Sequence, residues 1–561
     1  MIINSFKFMD GYNLGGKRRL CKVTFKKYIS IYEMHNIINE YINISAILGY
    51  RESIENIKVE EEDYIFYLTY TNHNIAKKLI EALNRGERKK GIIRKARGYK
   101  KYSWVDNIIN KLIYENISFI EKDEDVLQIG YGFRSIDINE SNFNDKFSES
   151  IDDLFSYVRN NDIGNIPIIT ITGTNGKTST ARLIHRLILD MGKFSGMSST
   201  GGIYIGEEKI KSGDTTGYFS AHMVLENKKV EMAVLETARG GIIKRGLGYS
   251  KSDIAVITSI SEDHIGMSGV RNLDELTAIK ALTLKALKKG GKAILPCNEY
   301  IYKHIKDKEY NVCYFSLDFN DVIKQHIKNN GEAIYIKNDF ITYFHDKKEH
   351  RLCNIKSLVF CHKGISKSNI KNIMCSIAAL KEYFPLKNII KALNHINCDL
   401  RTNSGRQNIL PIKNFKIILD YGHNREAFEE VFFIAKNLNP NKITAIVAAA
   451  GDREDKYIEE LGTIAAKYSD EIIIREQKDL RGREKGESAN LLKNGAEKLG
   501  FNNISIIYEE ENAISYAMEK ALDNEVIILF TQCLDVIIPV INNYVEKEGL
   551  ERIEDRLDFY H

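Results

Sequence analysis

The stretch Ile168-Ile-Thr-Ile-Thr-Gly-Thr-Asn-Gly-Lys-Thr178 constrains this chain more than any other part of it. Its β-favouring residues run straight into a glycine turn, and a helical pattern follows from about Ser179 to Met191. Gly173 and Gly176 let the backbone fold tightly, so that N–H groups from Gly173, Thr174, Asn175, Gly176 and Ser179 turn towards one point. A helix N-terminus adds partial positive charge there, which makes the place a phosphate site. In such a loop Lys177 reaches the β- and γ-phosphates and the Thr178 hydroxyl binds Mg²⁺. The usual pattern places a glycine four residues before the Gly-Lys pair. Ile171 stands at that position here, so the loop is a shortened one.

With 561 residues the chain has room for three to four domains of about 150 residues each. Lys and Arg exceed Asp and Glu by only 4, which argues against a dedicated nucleic-acid protein. None of the eight cysteines forms a Cys-x-x-Cys pair, as expected of a reduced cytoplasmic protein. The opening residues carry Asn4, Lys7 and Asp10, unlike a signal peptide. The most apolar run, residues 526–541, is broken by Gln532 and Asp535 and is too short for a membrane span.

The pattern of elements divides the chain. Residues 1–150 mix strand-like runs such as Tyr64–Tyr70 with helix-like ones such as Asn74–Leu83, which predicts a small α+β domain. Over 151–400, apolar strands (Ile166–Ile171, Met232–Leu235, Ile254–Ile260, Lys292–Leu295) alternate with helices, as in a parallel sheet. A second α/β series over 401–561 has expected strands Lys416–Leu419, Ile443–Ala448, Ile472–Arg475, Ile504–Tyr508 and Val526–Phe530. The fold class is therefore α/β, with a central P-loop sheet domain and a C-terminal Rossmann-like domain.

Gly173-Thr-Asn-Gly-Lys-Thr178 resembles the phosphate loop of the Mur ligase family, which includes peptidoglycan amino-acid ligases and folylpolyglutamate synthetases. Leu235-Glu-Thr-Ala-Arg-Gly-Gly-Ile242, Gly246-Leu-Gly248, Asp263-His264, Asp420-Tyr-Gly-His-Asn424, Gly451-Asp-Arg453 and Arg481-Gly-Arg-Glu-Lys-Gly-Glu487 follow in order. Together they are similar to the Mur-like half of cyanophycin synthetases, and Leu127-Gln-Ile-Gly-Tyr-Gly132 is similar to the small leading domain of those enzymes. Only 41 residues separate Gly132 from Gly173, too few for the ATP-grasp module that lies between these regions there.

The resemblance implies Mur ligase architecture and an ADP-forming amide ligase. Such an enzyme joins an amino acid, with a basic one as a candidate, to a carboxylate of an acidic peptide or amino-acid acceptor through an acyl phosphate. It implies ATP and Mg²⁺ as cofactors and Lys177, Glu236, His264 and Lys280 as catalytic residues. Thr178, Glu236 and His264 are the implied metal ligands, and Lys280 is the implied carbamylated lysine. Arg406, Asp420, His423 and Asn424 are implied at ATP, and Asp452 and Arg453 at substrate or domain closure. A separate backbone-forming ligase is an expected partner, a membrane is not, and a homo-oligomer is left open.

One feature points elsewhere. The segment from Arg85 to Lys101 carries nine basic residues against one acidic. Arg88, Lys89, Lys90, Arg94 and Lys95 are either a solvated helix face or an anchor for an acidic acceptor. The alternative reading of the chain is a nucleotide-switched protein that binds an anionic polymer or nucleic acid through this segment.

Overall fold

The computed structural model describes residues 2–9, 11–15, 19–59, 63–99, 103–123, 126–148, 150–262, 270–305 and 310–553. Its contacts gather into two units. The first comprises Met1–Gly173, Ile188–Ile260 and Met267–Cys313; the second comprises Thr174–Leu187, Ser261–Gly266 and Tyr314–His561.

In the first unit, strands lie side by side in the order Glu208–Ser212, Gly202–Ile205, Ser195–Ser199, Met232–Glu236, Ile168–Thr172, Ser252–Ile257 and Leu287–Pro296. The last five pair in parallel and the first two add an antiparallel edge. Every residue of Ile168–Thr172 and of Met232–Glu236 is buried, as expected of central parallel strands covered on both faces. The parallel arrangement leaves the ends of these strands, and the loops that follow them, at one edge of the sheet. Glu236, Thr200 and Gly173 all come from that edge.

The same unit contains a four-stranded antiparallel sheet in the order Ile3–Met9, Leu20–Lys26, Asp63–Thr69 and Ile54–Val59. Cys21, Val23, Phe25, Phe66 and Leu68 face the helices Ile31–Ile47, His73–Asn84 and Lys89–Tyr99 and form one core with them. Met9, Leu20, Ile65 and Tyr67 pack on the opposite face, as the period of two requires. A three-stranded sheet (Phe119–Asp123, Val126–Ile129, Ile136–Ile138) completes the N-terminal part as α+β.

In the second unit, six strands run in the order Asn408–Pro411, Lys416–Asp420, Glu525–Phe530, Lys442–Val447, Glu471–Ile474 and Ile504–Ile506. All pairs are parallel except the first. The unit also holds an antiparallel meander, Glu332–Lys337, Phe340–His345 and Lys348–Asn354, which the strand pattern did not reveal. Its turns place Asn338, Asp339, Asp346 and Lys347 at positive φ, the conformation of two-residue hairpin turns.

The expected strands are present with shifted ends. Ile254–Ile260 is observed as Ser252–Ile257, Ile472–Arg475 as Glu471–Ile474 and Ile504–Tyr508 as Ile504–Ile506. One backbone bond continues past each end: the N–H groups of Thr258, Arg475 and Ile507 donate to the carbonyls of Thr172, Val447 and Ile474, each at 2.9 Å. The helix after the glycine turn starts at Lys177 rather than Ser179, so Lys177 and Thr178 belong to its first turn.

In the second unit, helices Asp455–Tyr468 and Glu487–Glu497 cross at two glycines. A Cβ on Gly462 would stand 1.9 Å from the Leu492 carbonyl oxygen, and one on Gly495 would stand 1.9 Å from that of Glu459. Backbone cannot yield as a side chain does. Gly495→Ala should therefore destabilise the protein by about 1–3 kcal/mol. A thermal melt that matched the wild type would show that this crossing is not close-packed.

Candidate functional site

The first unit supplies the strand that enters the glycine loop. Gly173 has φ +148°, and a Cβ there would lie 2.1 Å from Thr258 Oγ1. Only glycine fits. Lys280, on the helix Leu273–Lys280, is buried and donates from Nζ to the Gly173 carbonyl oxygen at 2.7 Å. Glu236 ends its strand only 2% exposed. Its Oε2 accepts the Thr200 N–H at 2.9 Å and its Oε1 accepts the Thr200 hydroxyl at 2.9 Å. Thr200 follows the neighbouring parallel strand, so two adjacent strand ends fix the carboxylate.

The second unit contains the rest of the loop and a dense polar cluster. Asn175 and Gly176 follow Thr174, and Gly176 has φ +86°. Lys177 is half-buried and donates to the Thr174 carbonyl oxygen at 2.9 Å, so the ammonium lies against its own loop. The hydroxyls of Thr178 and Ser179 are in the first helical turn, both residues buried. Thr174 and Ser261 are tied reciprocally: Oγ1 of Thr174 donates to the Ser261 carbonyl at 3.1 Å and accepts its N–H at 3.2 Å.

Arg406 Nη2 lies 3.5 Å from Thr178 Oγ1, and its guanidinium stacks 4.2 Å over the Tyr421 ring. Asn424 caps the helix Arg425–Asn437 by accepting the Ala427 N–H at 3.1 Å, and it donates to Asn175 Oδ1 at 2.9 Å. Asn175 in turn donates to Glu426 Oε2 at 2.9 Å, which also accepts the Ser261 hydroxyl at 3.0 Å. His423 Nδ1 is 3.1 Å from the Tyr421 carbonyl. Thus two polar groups meet the loop: Thr174 and Asn175 are joined with Ser261, Glu426 and Asn424, and Thr178 is joined with Arg406 and Tyr421. No sequence motif announced Ser261 or Glu426.

Asp420 ends the strand Lys416–Asp420 and is buried. It accepts the Gly422 N–H at 2.6 Å and the Gln407 N–H at 2.9 Å. Burial raises its pKa to about 6, although the nearby Arg406 charge and both backbone N–H groups pull the other way. Glu430 adds a smaller upward push. Gln407 sits at φ 55°, and its side chain is held by Ser366, Ser368 and Asn369.

Asp452 and Arg453 follow the strand Lys442–Val447. Asp452 pairs with Arg481 at 2.9 Å, and Arg483 donates to the carbonyls of Gly451 and Arg453 at 2.8 and 2.7 Å. At the next strand end Arg475, which sequence reasoning missed, is buried. It pairs with Glu510 at 2.9 Å and donates to the Phe530 carbonyl at 2.7 Å.

Arg88, Lys89, Lys90, Arg94 and Lys95 are exposed at the start of, or along, the helix Lys89–Tyr99, while Ile92 and Ala96 face the core. Part of their charge is answered locally. Lys95 and Arg85 pair with Glu87 at 2.8 and 3.1 Å, and Lys89 lies 3.8 Å from Glu40. Asp263 and His264 lie outside the described residues. Among the described residues no group of three or more His, Cys, Asp and Glu is arranged to hold a metal ion. Nor is any helix there long and apolar enough to cross a membrane.

The Mur ligase middle domain matches residues 171–380, and the Mur ligase glutamate ligase domain matches residues 405–533. The chain belongs to the Mur ligase family. It is 30% identical to a cyanophycin synthetase from a Nostoc species over 386 residues, covering 68% of this chain and 43% of that protein. It is 27% identical to the UDP-N-acetylmuramoyl-L-alanyl-D-glutamate–2,6-diaminopimelate ligase of Helicobacter pylori, covering 65% of this chain and 78% of that one. Escherichia coli FolC in complex with DHPP and ADP superposes with a TM-score of 0.49 at 15% identity, covering 68% and 89% of the two chains. The chain spans less than half the length of the cyanophycin synthetases it matches.

The Asp420 carboxyl gives a pH signature. Its folded pKa of about 6 lies above the ordinary 3.8, so the folded state holds a proton that the unfolded state has lost. The sign is therefore a loss of stability as pH rises from about 4 through 6, amounting to about 3 kcal/mol in total. Asp420→Asn should flatten the change in Tm over that window. An unchanged Tm–pH profile in the variant would assign the titration to other groups.

Proposed function

We propose that this chain is an ATP-dependent, ADP-forming amide ligase. A carboxylate oxygen of the acceptor attacks the γ-phosphorus of ATP; ADP leaves and an acyl phosphate forms. The amine of an amino acid then attacks the acyl carbon, phosphate departs and the amine loses a proton. The observation that carries this reading is the pair of contacts that the glycine loop makes, Thr178 with Arg406 and Asn175 with Asn424. It offers a cation, backbone N–H groups and a helix N-terminus to one triphosphate. Phosphoryl transfer needs such positioning and charge neutralisation more than covalent participation.

In this reading Lys177 neutralises charge on the β- and γ-phosphates, and Arg406, stacked on Tyr421, holds the nucleotide. Asp420 and His423 serve the ATP side. Mg²⁺ takes oxygen ligands and is usually held by one or two side chains besides the phosphates. The Thr178 hydroxyl suits one such ion, and the Glu236 carboxylate, oriented by Thr200, suits a second. When bound, such an ion would neutralise charge on the phosphate oxygens it meets. Lys280 holds the Gly173 carbonyl and thereby the loop's entry; carbamylation would exchange that donor for an anion. Asp452 and Arg453 serve substrate or closure. We further propose an amino acid, with a basic one as a candidate, and an acidic peptide as the two substrates. The modules follow the divisions 1–150, 151–400 and 401–561.

Lys177→Ala removes a charge-stabilising donor from the phosphoryl centre while deleting little packing. Turnover, read as ADP release dependent on both amine and acceptor, should fall about 10²–10³-fold with the melting temperature nearly unchanged. Near-normal turnover would remove the loop from the mechanism.

A further inference from the structure

Four cations gather within the first unit at a place the sequence motifs do not mark. Lys7 and Lys22 stand directly opposite each other across the antiparallel pair Ile3–Met9 and Leu20–Lys26. Like charges in that register destabilise a sheet. The helix Arg239–Arg245 packs against the Ile3–Met9 strand and ends in Lys244 and Arg245. Immediately after it, the Leu247 N–H donates to the Tyr12 carbonyl at 2.9 Å, and Gly246 packs against Tyr12 and Asn13. Arg245 lies 4.6 Å over the ring of Phe219, which is 60% exposed. Partial burial, followed by the charges of Lys22, Arg245 and Lys244, lowers the Lys7 pKa. None of the four makes an ion pair among the described residues. A helix C-terminus accounts for two of these cations. It does not account for two more brought to it on a separate sheet.

We propose that Lys7, Lys22, Lys244 and Arg245 form the binding site for the carboxylates of an acidic acceptor peptide. The proposal rests on the ligase reading above and names where its acceptor is held. The helix that carries Lys244 and Arg245 begins three residues beyond Glu236, and its seven residues span about 10 Å. An extended peptide covers that distance in about three residues. The cluster thus suits side chains a few residues away from the reacting carboxylate, and the exposed Phe219 ring flanks their path. The basic helix Lys89–Tyr99 belongs to the opposite, helix-covered face of the same small sheet, and part of its charge is already paired.

The test is a titration of the full chain, without ATP, into a fluorescein-labelled octa-aspartate peptide. Wild type should bind in a salt-sensitive manner. Lys7→Gln, Lys22→Gln and Lys244→Gln combined should weaken binding about tenfold. The corresponding Lys→Arg variant should restore it, which separates charge from folding. No binding by the wild type, or equal binding by the Gln variant, overturns the site. So does loss of binding only when Arg88, Lys89, Lys90, Arg94 and Lys95 are changed to Gln, because that places the anchor on the basic helix. Tighter binding of an oligonucleotide of equal charge overturns the choice of a peptide. Turnover keeps the two proposals apart. Binding through the cluster with no acceptor-dependent ADP release would sink the ligase reading alone. Acceptor-dependent ADP release whose KM for long acceptors the Gln variant leaves unchanged would sink the site alone.

Discussion

The contact at Gly173 governs how the glycine loop is built. Three elements converge on this one residue: its own strand, the Thr258 segment after the neighbouring parallel strand, and the Leu273–Lys280 helix. The approach of Thr258 leaves no room for a Cβ, and the positive φ turns the chain away from the sheet. Lys280 then holds the carbonyl at 2.7 Å. A lysine buried at 4% exposure is costly unless its ammonium is hydrogen-bonded. Helix and loop are therefore bound by the same contact, and the loop's entry is fixed before any ligand arrives.

The second unit resolves the complementary problem of a polar loop with many donors. Asn175 could adopt several rotamers, but Asn424 and Glu426 both take it up. Asn424 can do so because its other function, capping the Arg425–Asn437 helix, already fixes its side chain. The same economy holds at Asp420, whose two oxygens accept from Gly422 and Gln407. Burial still outweighs those bonds and raises the pKa, which makes this carboxyl the electrostatically costly member of the cluster.

How much of this was legible depends on the range of the interaction. The glycine loop and the alternating strands were readable because local chemistry dictates them: glycine at positive φ, a Lys-Thr helix start, apolar runs buried on both faces. Glu236 was readable as a strand-end carboxylate. Its partner Thr200 was not, since parallel pairing joins positions 36 residues apart. Ser261 and Glu426 were missed because the contacts that bring them to the loop cross 87 and 251 positions of the chain. The Glu332–Asn354 meander escaped because its turns use Asn-Asp and Asp-Lys rather than a glycine, although Asn and Asp tolerate the left-handed region. Lys280 could as well have been an exposed helix lysine, because nothing in its own turn reveals that Gly173 accepts from it.

Charge shows the limit of linear reading most clearly. The run from Arg85 to Lys101 is conspicuous because its cations are close in sequence, yet Lys89, Lys90, Arg94 and Lys95 lie on the exposed side of the helix Lys89–Tyr99, and Glu87 and Glu40 answer several cations. Lys7, Lys22, Lys244 and Arg245 are scattered along the sequence, yet the fold brings them together. What gathers them is a close backbone approach. A Cβ on Gly11 would lie 2.1 Å from the Leu247 carbonyl oxygen, and one on Gly246 would meet Tyr12 and Asn13 at 2.7 Å. Two glycines thus seat the small sheet against the end of the Arg239–Arg245 helix. Because side chains alternate along a strand, the apolar Phe8 points to the helix-covered core while Lys7 takes the other face. A shift of one residue in that strand would bury the lysine and expose the phenylalanine. The register that builds the core is therefore the register that brings the two lysines to the helix end.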